Sequence, residues 1–583
     1  MNASDTVEID VAVVGGGVSG AYAAWRLVEP GRPLQEPLRQ LASPDGRLNV
    51  HMYERSDRIG GRLHTVTPKD TPHLHAEVGG MRFPTVHRFV VSLVDALGLA
   101  WHDFADGDLH NFYYLRGKRL SASDLRDAQL LPYFLRPEEQ GRDPVEMLLA
   151  VMRHLLPDGL DISPAAWEVK RRTLQVDGTA LHDLGFWNVA ARCFSNEALG
   201  LIRDAFGYDS SLGNWNASDV MTLAITHRGQ GPLRYRALDD GFQALPLTLV
   251  RQFEARGGVV HCRHRLRGLN VEPDGRLRLR FETSANEASS STVLARHVIL
   301  AMPRRALSLL EQDCFLFDHP QFVADLQAVV GQPACKLFLG YREPWWTPMG
   351  LRSGRSVTDL PMRQCYYWGT EGDQQGADPS NRCSLLMAGY NDGASVDYWR
   401  GFLGPRADGT LAERLPGGEF WQESLEAPAA MLDDIRRQLQ EMHGDAVRVP
   451  EPISAMFVDW EEDPYGGAWH GWRIQEKSWE VMPRMRQPVA GVGVYVCGEA
   501  WSTDQGWVQG ALHTAELVLE EKLGLGRPCF LPADAVPGLA EVDVAAVGAG
   551  ISKVSVGIPG PSSLSDDAEE SPALEVMSSE TNS

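Results

Sequence analysis

The stretch VAVVGGGVSGAYAAWRL, Val11–Leu27, decides the fold. Val11, Val13 and Val14 read as a buried strand. Gly15 permits a tight turn at its end, Gly17 lets backbone N–H groups approach a phosphate, and Gly20 lets the Ala21–Leu27 helix pack closely on the strand. A helix that begins in such a turn is an anion site suited to a pyrophosphate. The G-x-G-x-x-G spacing alone is weak, but a second strand lies downstream and ends in Glu54, whose carboxylate can accept hydrogen bonds from a ribose. Glu54 lies further beyond Gly20 than the usual spacing of about 20 residues. The Pro- and Gly-rich run Glu29–Leu48 between them reads as an insertion. At the other end, YVCGEAWSTDQGWVQGALHTAE, Tyr495–Glu516, reads as a strand, a loop and a helix start. One cofactor is expected to tie the two ends together.

The residues just after Glu54 narrow the cofactor. The string E-R-x-x-R-x-G-G-R holds Gly60, Gly61 and Arg62, and it resembles the second phosphate-binding turn of flavoprotein amine oxidases. In separated blocks over most of residues 9–526 the chain resembles the L-amino acid oxidase and monoamine oxidase family. The resemblance implies FAD and a mixed α/β and α+β architecture: a discontinuous Rossmann-like FAD-binding domain, a mixed-sheet substrate domain and a helical insertion.

The same resemblance implies roles for individual residues. EVGGMRF places Gly80, Met81 and Arg82 on the strand and turn passing the flavin, with Arg82 where the family holds the substrate carboxylate. A planar guanidinium suits that task because it donates two parallel hydrogen bonds. GQPACKLFLGYREPWW places Lys336 where the family's lysine holds a water beside flavin N5. Gly498 and Glu499 resemble the pair near the ribityl chain. Gly506, Trp507 and Val508 resemble the turn along the pyrimidine edge, with Trp507 as a cage wall and the Gly506 carbonyl facing the substrate amine. Leu266 falls on the strand whose backbone packs on the adenine, and Trp460 and Ala468 fall near the ring. For the opposite cage wall QCYYWGT offers Tyr366 and Tyr367; neighbours in a strand face opposite ways, and Tyr367 is assigned the inward position. The segment matching the monoamine oxidases' flavin-linking cysteine, Gly466–His470, holds no cysteine, so the FAD is expected to be non-covalent.

Composition bounds the rest. A chain of 583 residues exceeds one core, and a formal charge of −22 disfavours nucleic acid and anionic membranes as partners. The eight scattered cysteines lack C-x-x-C spacing and suggest reduced thiols and no metal site. No signal peptide or membrane span is read, which makes the expected location cytoplasmic, and a homo-oligomer is expected. FAD-binding segments are expected at 7–66, 238–333 and 453–526, a substrate-binding domain at 67–128 and 334–452, and a helical domain at 129–237. The tail, 527–583, has the composition of a disordered segment; its VAAVGAGIS run mimics a dinucleotide turn but has Lys553 in place of the third glycine.

The resemblance implies oxidative deamination. A free L-amino acid bound at Arg82 passes its Cα hydride to the flavin, the imino acid hydrolyses to a 2-oxo acid and ammonia, and oxygen is reduced to hydrogen peroxide. An amino-acid monooxygenase that decarboxylates to an amide, and an amine or polyamine oxidase, are the alternatives; Arg82 argues against the second. The cage admits aromatic or long aliphatic side chains, while Asp504 and Glu462 lie in segments that can bring a carboxylate to a basic one.

Overall fold

The computed structural model describes residues 6–228, 234–283, 290–403, 426–460, 467–532 and 553–554. Its first sheet is built around the opening motif. The strand Val7–Val14 pairs in parallel with Val50–Tyr53 on one side and Ser290–Leu300 on the other. Val259–His261 extends the first edge and Val494–Val496 joins Ser290–Leu300, so five parallel strands bring the two ends of the sequence into one layer. The antiparallel strands Leu277–Glu282 and Arg265–Val271 complete the sheet. Parallel strands covered on both faces need continuous apolar runs, which is why Val11, Ala12 and Val13 are all fully buried.

The helix Val18–Leu27 is buried on every side, Arg26 included. A Cβ on Gly20 would fall 1.9 Å from the Gly15 carbonyl oxygen, so only glycine permits this approach of helix to strand. Burying Arg26 requires a counter-charge, and the C-terminal helix Val508–Glu521 supplies it. Glu516 lies 3.1 Å from Arg26 Nη2 and accepts from the Tyr22 hydroxyl at 2.5 Å. Arg26 also donates to the Gly526 carbonyl at 2.7 Å.

A second sheet of seven strands runs in the order Ser454–Trp460, Ala334–Tyr341, Ser384–Asp392, Gln364–Thr370, Arg355–Thr358, Tyr113–Leu115 and Lys118–Leu120. Ser454–Trp460, expected among the cofactor segments, thus hydrogen-bonds along Ala334–Tyr341 in the sheet that carries Lys336. A smaller sheet of Phe83–Pro84, Tyr235–Leu238 and Trp101–Phe104 bridges the two. Within the stretch expected to be helical, helices form at Pro144–Leu155 and Asn196–Phe206. Asp143 accepts from the Glu146 amide at 2.9 Å to cap the first; Ser195 caps the second, which Gly207 ends at φ 74°.

The start of the tail is anchored: Leu531 is buried and Phe530 packs on Trp25, ring centroids 6.0 Å apart. Residues 533–552 and 555–583 lie outside the described residues, but Lys553–Val554 forms a short parallel strand with Gln175–Val176. Among the described residues no helix is long and apolar enough to cross a membrane.

The Arg26–Glu516 pair predicts its own cost. Glu516→Leu should destabilise the protein by about 2–3 kcal/mol in urea unfolding, because Tyr22 loses its acceptor and Arg26 loses its fully buried partner while keeping Glu29. A loss below about 1 kcal/mol would show that the pair does not hold the two ends together.

Candidate active site

The two glycine turns meet face to face. The Gly60 amide donates to the Gly16 carbonyl at 2.9 Å, and a Cβ on Gly61, at φ 56°, would lie 3.1 Å from Gly17 Cα. On Gly17 itself an added Cβ would meet nothing nearer than 3.9 Å, and on Gly498, at φ 133°, nothing within 4 Å. Those edges leave room for a bound group. The Val18–Leu27 helix has no side-chain cap, so its first-turn amides are available to a phosphate. Glu54 sits beside the turn: Oε2 accepts from the Gly16 amide at 2.6 Å and Oε1 from Ser56 at 2.8 Å. Leu266 lies two residues beyond His264, whose amide donates to the Glu54 carbonyl at 2.8 Å, and pairs with Phe281 in the sheet. The residues present therefore fit a dinucleotide.

Glu499 ties together the segments that could hold the cofactor. One of its oxygens receives Arg62 Nη1 at 2.5 Å and His470 Nδ1 at 2.6 Å, and the other the Gly506 amide at 2.9 Å. Burial opposes ionisation of this carboxyl, but His470 and Arg62 outweigh it and hold the group well below the usual carboxylate range. Arg62 also donates to the Ala468 carbonyl at 3.1 Å, so three distant segments converge here.

The strand expected to pass the flavin is held by side chains from the second sheet. Lys336 is buried, and its ammonium donates to the Glu77 and Gly79 carbonyls at 2.9 and 2.5 Å. Trp460 donates to the Val78 carbonyl between them at 2.6 Å. Burial pushes the Lys336 ammonium down to about 7, with Glu77 opposing that shift and Arg82 adding to it. Met81 packs into the core beneath this strand. Gly506 is exposed and Trp507 half-buried, the Trp507 indole edge-on to His87 at 5.0 Å, and Val508 begins a helix with no side-chain cap.

Arg82 does not stand alone. It is ion-paired with Asp106, and its guanidinium carbon lies 4.2 Å from the Tyr235 ring centroid and 5.8 Å from that of Tyr366. Arg355 approaches the same Asp106 oxygen at 3.6 Å and donates to Gln364 at 2.5 Å. Burial opposes ionisation of Asp106, yet the two arginines win and keep its pKa below the ordinary value.

The assignment of the inward tyrosine is corrected. Tyr366 faces this cluster and donates to Asp106 at 3.4 Å. Tyr367 points to the other side of the sheet, where its hydroxyl bonds Ser356 at 3.0 Å and His443 at 2.9 Å within the core under the helix Ala429–His443. Of the two acids considered for a basic side chain, Asp504 is buried 3.3 Å from His513, and Glu462 lies outside the described residues. Residues not expected from the sequence are Asp106, Arg355, Tyr235, His470 and Trp469. Trp469 lies under Gly506, where a Cβ would come within 3.4 Å of its own. The aromatic run around Ala468 was a usable signal for it.

Comparisons with known proteins give the family and the fold. The sequence model of the family described as flavin containing amine oxidoreductase matches residues 19–518. Aplysianin-A of Aplysia kurodai is 27% identical over 88% of this chain and 90% of its own length. Achacin of Lissachatina fulica is 24% identical over 88% and 93%. An L-amino-acid oxidase of Crotalus adamanteus is 26% identical over 61% and 62%. A solved putrescine oxidase shares the fold, with a TM-score of 0.59 over 88% of this chain and 99% of that one, at 17% identity.

Two variants test the geometry. Glu499→Gln keeps the volume but removes the charge between Arg62 and His470, so the purified protein should carry several-fold less flavin, read by visible absorbance against protein, with unchanged far-UV circular dichroism. Full flavin content would remove Glu499 from the cradle. Tyr367→Phe should cost about 1 kcal/mol of stability for its lost hydrogen bonds and leave KM unchanged; a raised KM would return Tyr367 to the substrate wall.

Proposed function

We propose, for a chain that belongs to the flavin-containing amine oxidoreductase family, the activity of an FAD-dependent L-amino acid oxidase. Free L-amino acids and oxygen are its substrates, and a 2-oxo acid, ammonia and hydrogen peroxide its products. The observation that carries this reading is the buried Arg82, side chain 8% exposed, one residue beyond the Gly79–Met81 turn that Lys336 holds. Asp106 is the one anion shared by two buried guanidiniums, Arg82 and Arg355, so the cluster is one negative charge short, and the α-carboxylate is the anion that separates an amino acid from a simple amine. The relatives named as L-amino acid oxidases support the same reading.

FAD, when bound non-covalently, supplies the hydride acceptor and the centre at which oxygen is reduced. The chain's residues do the rest. Arg82 orients the substrate by its carboxylate, and the Gly506 carbonyl accepts from its amine. Trp507 and Tyr366 wall the side chain and exclude water, which strengthens each polar contact inside. Lys336 holds a proton at Nζ beside the Glu77 and Gly79 carbonyls, where its charge favours reduction of oxygen.

A screen of the twenty L-amino acids for peroxide, with identification of the product, tests this function directly. A 2-oxo acid with stoichiometric ammonia is expected, and an amide product or no turnover of any amino acid contradicts it. Arg82→Met should retain flavin and lose about 2–5 kcal/mol in kcat/KM. Near-normal efficiency in that variant would remove Arg82 from the substrate site. Lys336 gives a pH test. Its folded value of about 7 means the cation is present below that pH and lost as pH rises through it. The oxygen half-reaction should therefore slow across neutrality in the native enzyme and be slow and flat with pH in Lys336→Met, with the anaerobic half-reaction little changed. Unchanged reaction with oxygen in that variant would contradict the assignment.

A further inference from the structure

We propose that Asp106 is the resident occupant of the carboxylate clamp and that Arg355 takes it over when a substrate carboxylate reaches Arg82. This rests on the reading of Arg82 given above and adds the residues that set the charge of its site. Asp106 lies just past the strand Trp101–Phe104, and a single oxygen of it meets three donors: Arg82 Nη1, Arg355 Nε at 3.6 Å and the Tyr366 hydroxyl at 3.4 Å. The Tyr366 ring lies 5.8 and 5.9 Å from the two guanidinium carbons, so both arginines share one aromatic floor. Arg355 is further fixed by its 2.5 Å hydrogen bond to Gln364, and Arg82 by the Tyr235 ring. Asp106 is the most open of the three, with 17% of its side chain exposed against 8% for Arg82 and 6% for Arg355.

The charges explain why a carboxylate would sit in a carboxylate site. Arg82 and Arg355 contribute two positive charges and Asp106 one negative, which leaves one positive charge among them. Without Asp106 two buried guanidiniums would face each other with no anion between them, a costly arrangement in a low dielectric. With it the site keeps enough positive charge for one incoming carboxylate, after which the four groups alternate in sign and sum to zero. The shift needs little motion, because closing the 3.6 Å gap to Arg355 brings Asp106 to hydrogen-bond distance, about 2.9 Å, and loosens its contact with Arg82. A simple amine brings no anion and cannot complete the array, so the device selects amino acids over the amines derived from them.

The test uses flavin-loaded protein and benzoate, a carboxylate with no oxidisable amine, titrated by its perturbation of the flavin spectrum. Affinity should track the charge of the three residues. Asp106→Asn, at two positive charges, should bind benzoate about tenfold tighter, and Arg355→Gln, at zero, about tenfold weaker although Arg82 is intact. The double variant Asp106→Asn/Arg355→Gln returns to one positive charge and should bind within about threefold of the native enzyme, as should Arg355→Lys, which keeps the charge. Recovery in the double variant cannot come from a merely structural role, since two structural losses would add. If the native enzyme binds benzoate and oxidises L-amino acids but Asp106→Asn binds more weakly and the double variant does not recover, Asp106 is only a pin for Arg82 and the proposal fails alone. If the native enzyme neither binds benzoate nor is reduced by any L-amino acid, the carboxylate reading of Arg82 fails with it.

Discussion

A single buried carboxylate, Glu499, carries the convergence on which this molecule depends. The chain leaves the first sheet after Val50–Tyr53, comes back to it for the four strands between Val259 and Leu300, leaves again to build most of the second sheet, and rejoins the first only at Val494–Val496. A cradle assembled from such distant segments needs a contact that fixes them relative to each other. Glu499 receives Arg62 from the second glycine turn, His470 from the segment before the return, and the Gly506 amide from the loop ahead of the last helix. Three charge-assisted or amide donors on one carboxylate define one arrangement, because leaving any of them unpaired in a buried site is expensive. The Arg26–Glu516 pair repeats the device behind the sheet, between the first helix and the last.

The second sheet performs the complementary task of presenting chemistry to that cradle. Lys336 and Trp460, on adjacent strands, grip three successive carbonyl-bearing positions of the Glu77–Gly79 segment. The grip fixes the backbone just before Arg82, so the guanidinium is aimed by main-chain hydrogen bonds as well as by the aromatic rings around it. Orientation of this kind is where a protein contributes to cofactor chemistry.

Much of this was legible in the sequence, for a physical reason. The glycine turns and Glu54 are read from short spacings, because turns and helix starts are governed by neighbours in the chain, whereas Arg62, Lys336 and the Gly498–Val508 loop are read from the family resemblance of the blocks that hold them. Tyr367 was misassigned because the parity of a strand residue depends on its register with a partner strand. Here the register of Gln364–Thr370 against Ser384–Asp392 shifts between Tyr367 and Gly369. Period-two alternation names the pair of candidates and cannot say which side faces the site. Asp106 and Arg355 were invisible for a related reason. Neither lies in a spaced motif, and they meet only because Tyr113–Leu115 pairs with Arg355–Thr358 and Trp101–Phe104 with Tyr235–Leu238. The placement of Ser454–Trp460 in the second sheet was likewise a matter of long-range pairing.

The proposed function makes recognition turn on a buried guanidinium, Arg82, that reads the α-carboxylate of the substrate. Anaerobic mixing of the flavin-loaded protein with an L-amino acid, and separately with the amine that remains when its carboxylate is removed, tests it most directly. Rapid bleaching of the flavin by the amino acid is expected, with essentially none by the amine at the same concentration. Equal bleaching by both, or bleaching by the amine alone, would contradict it.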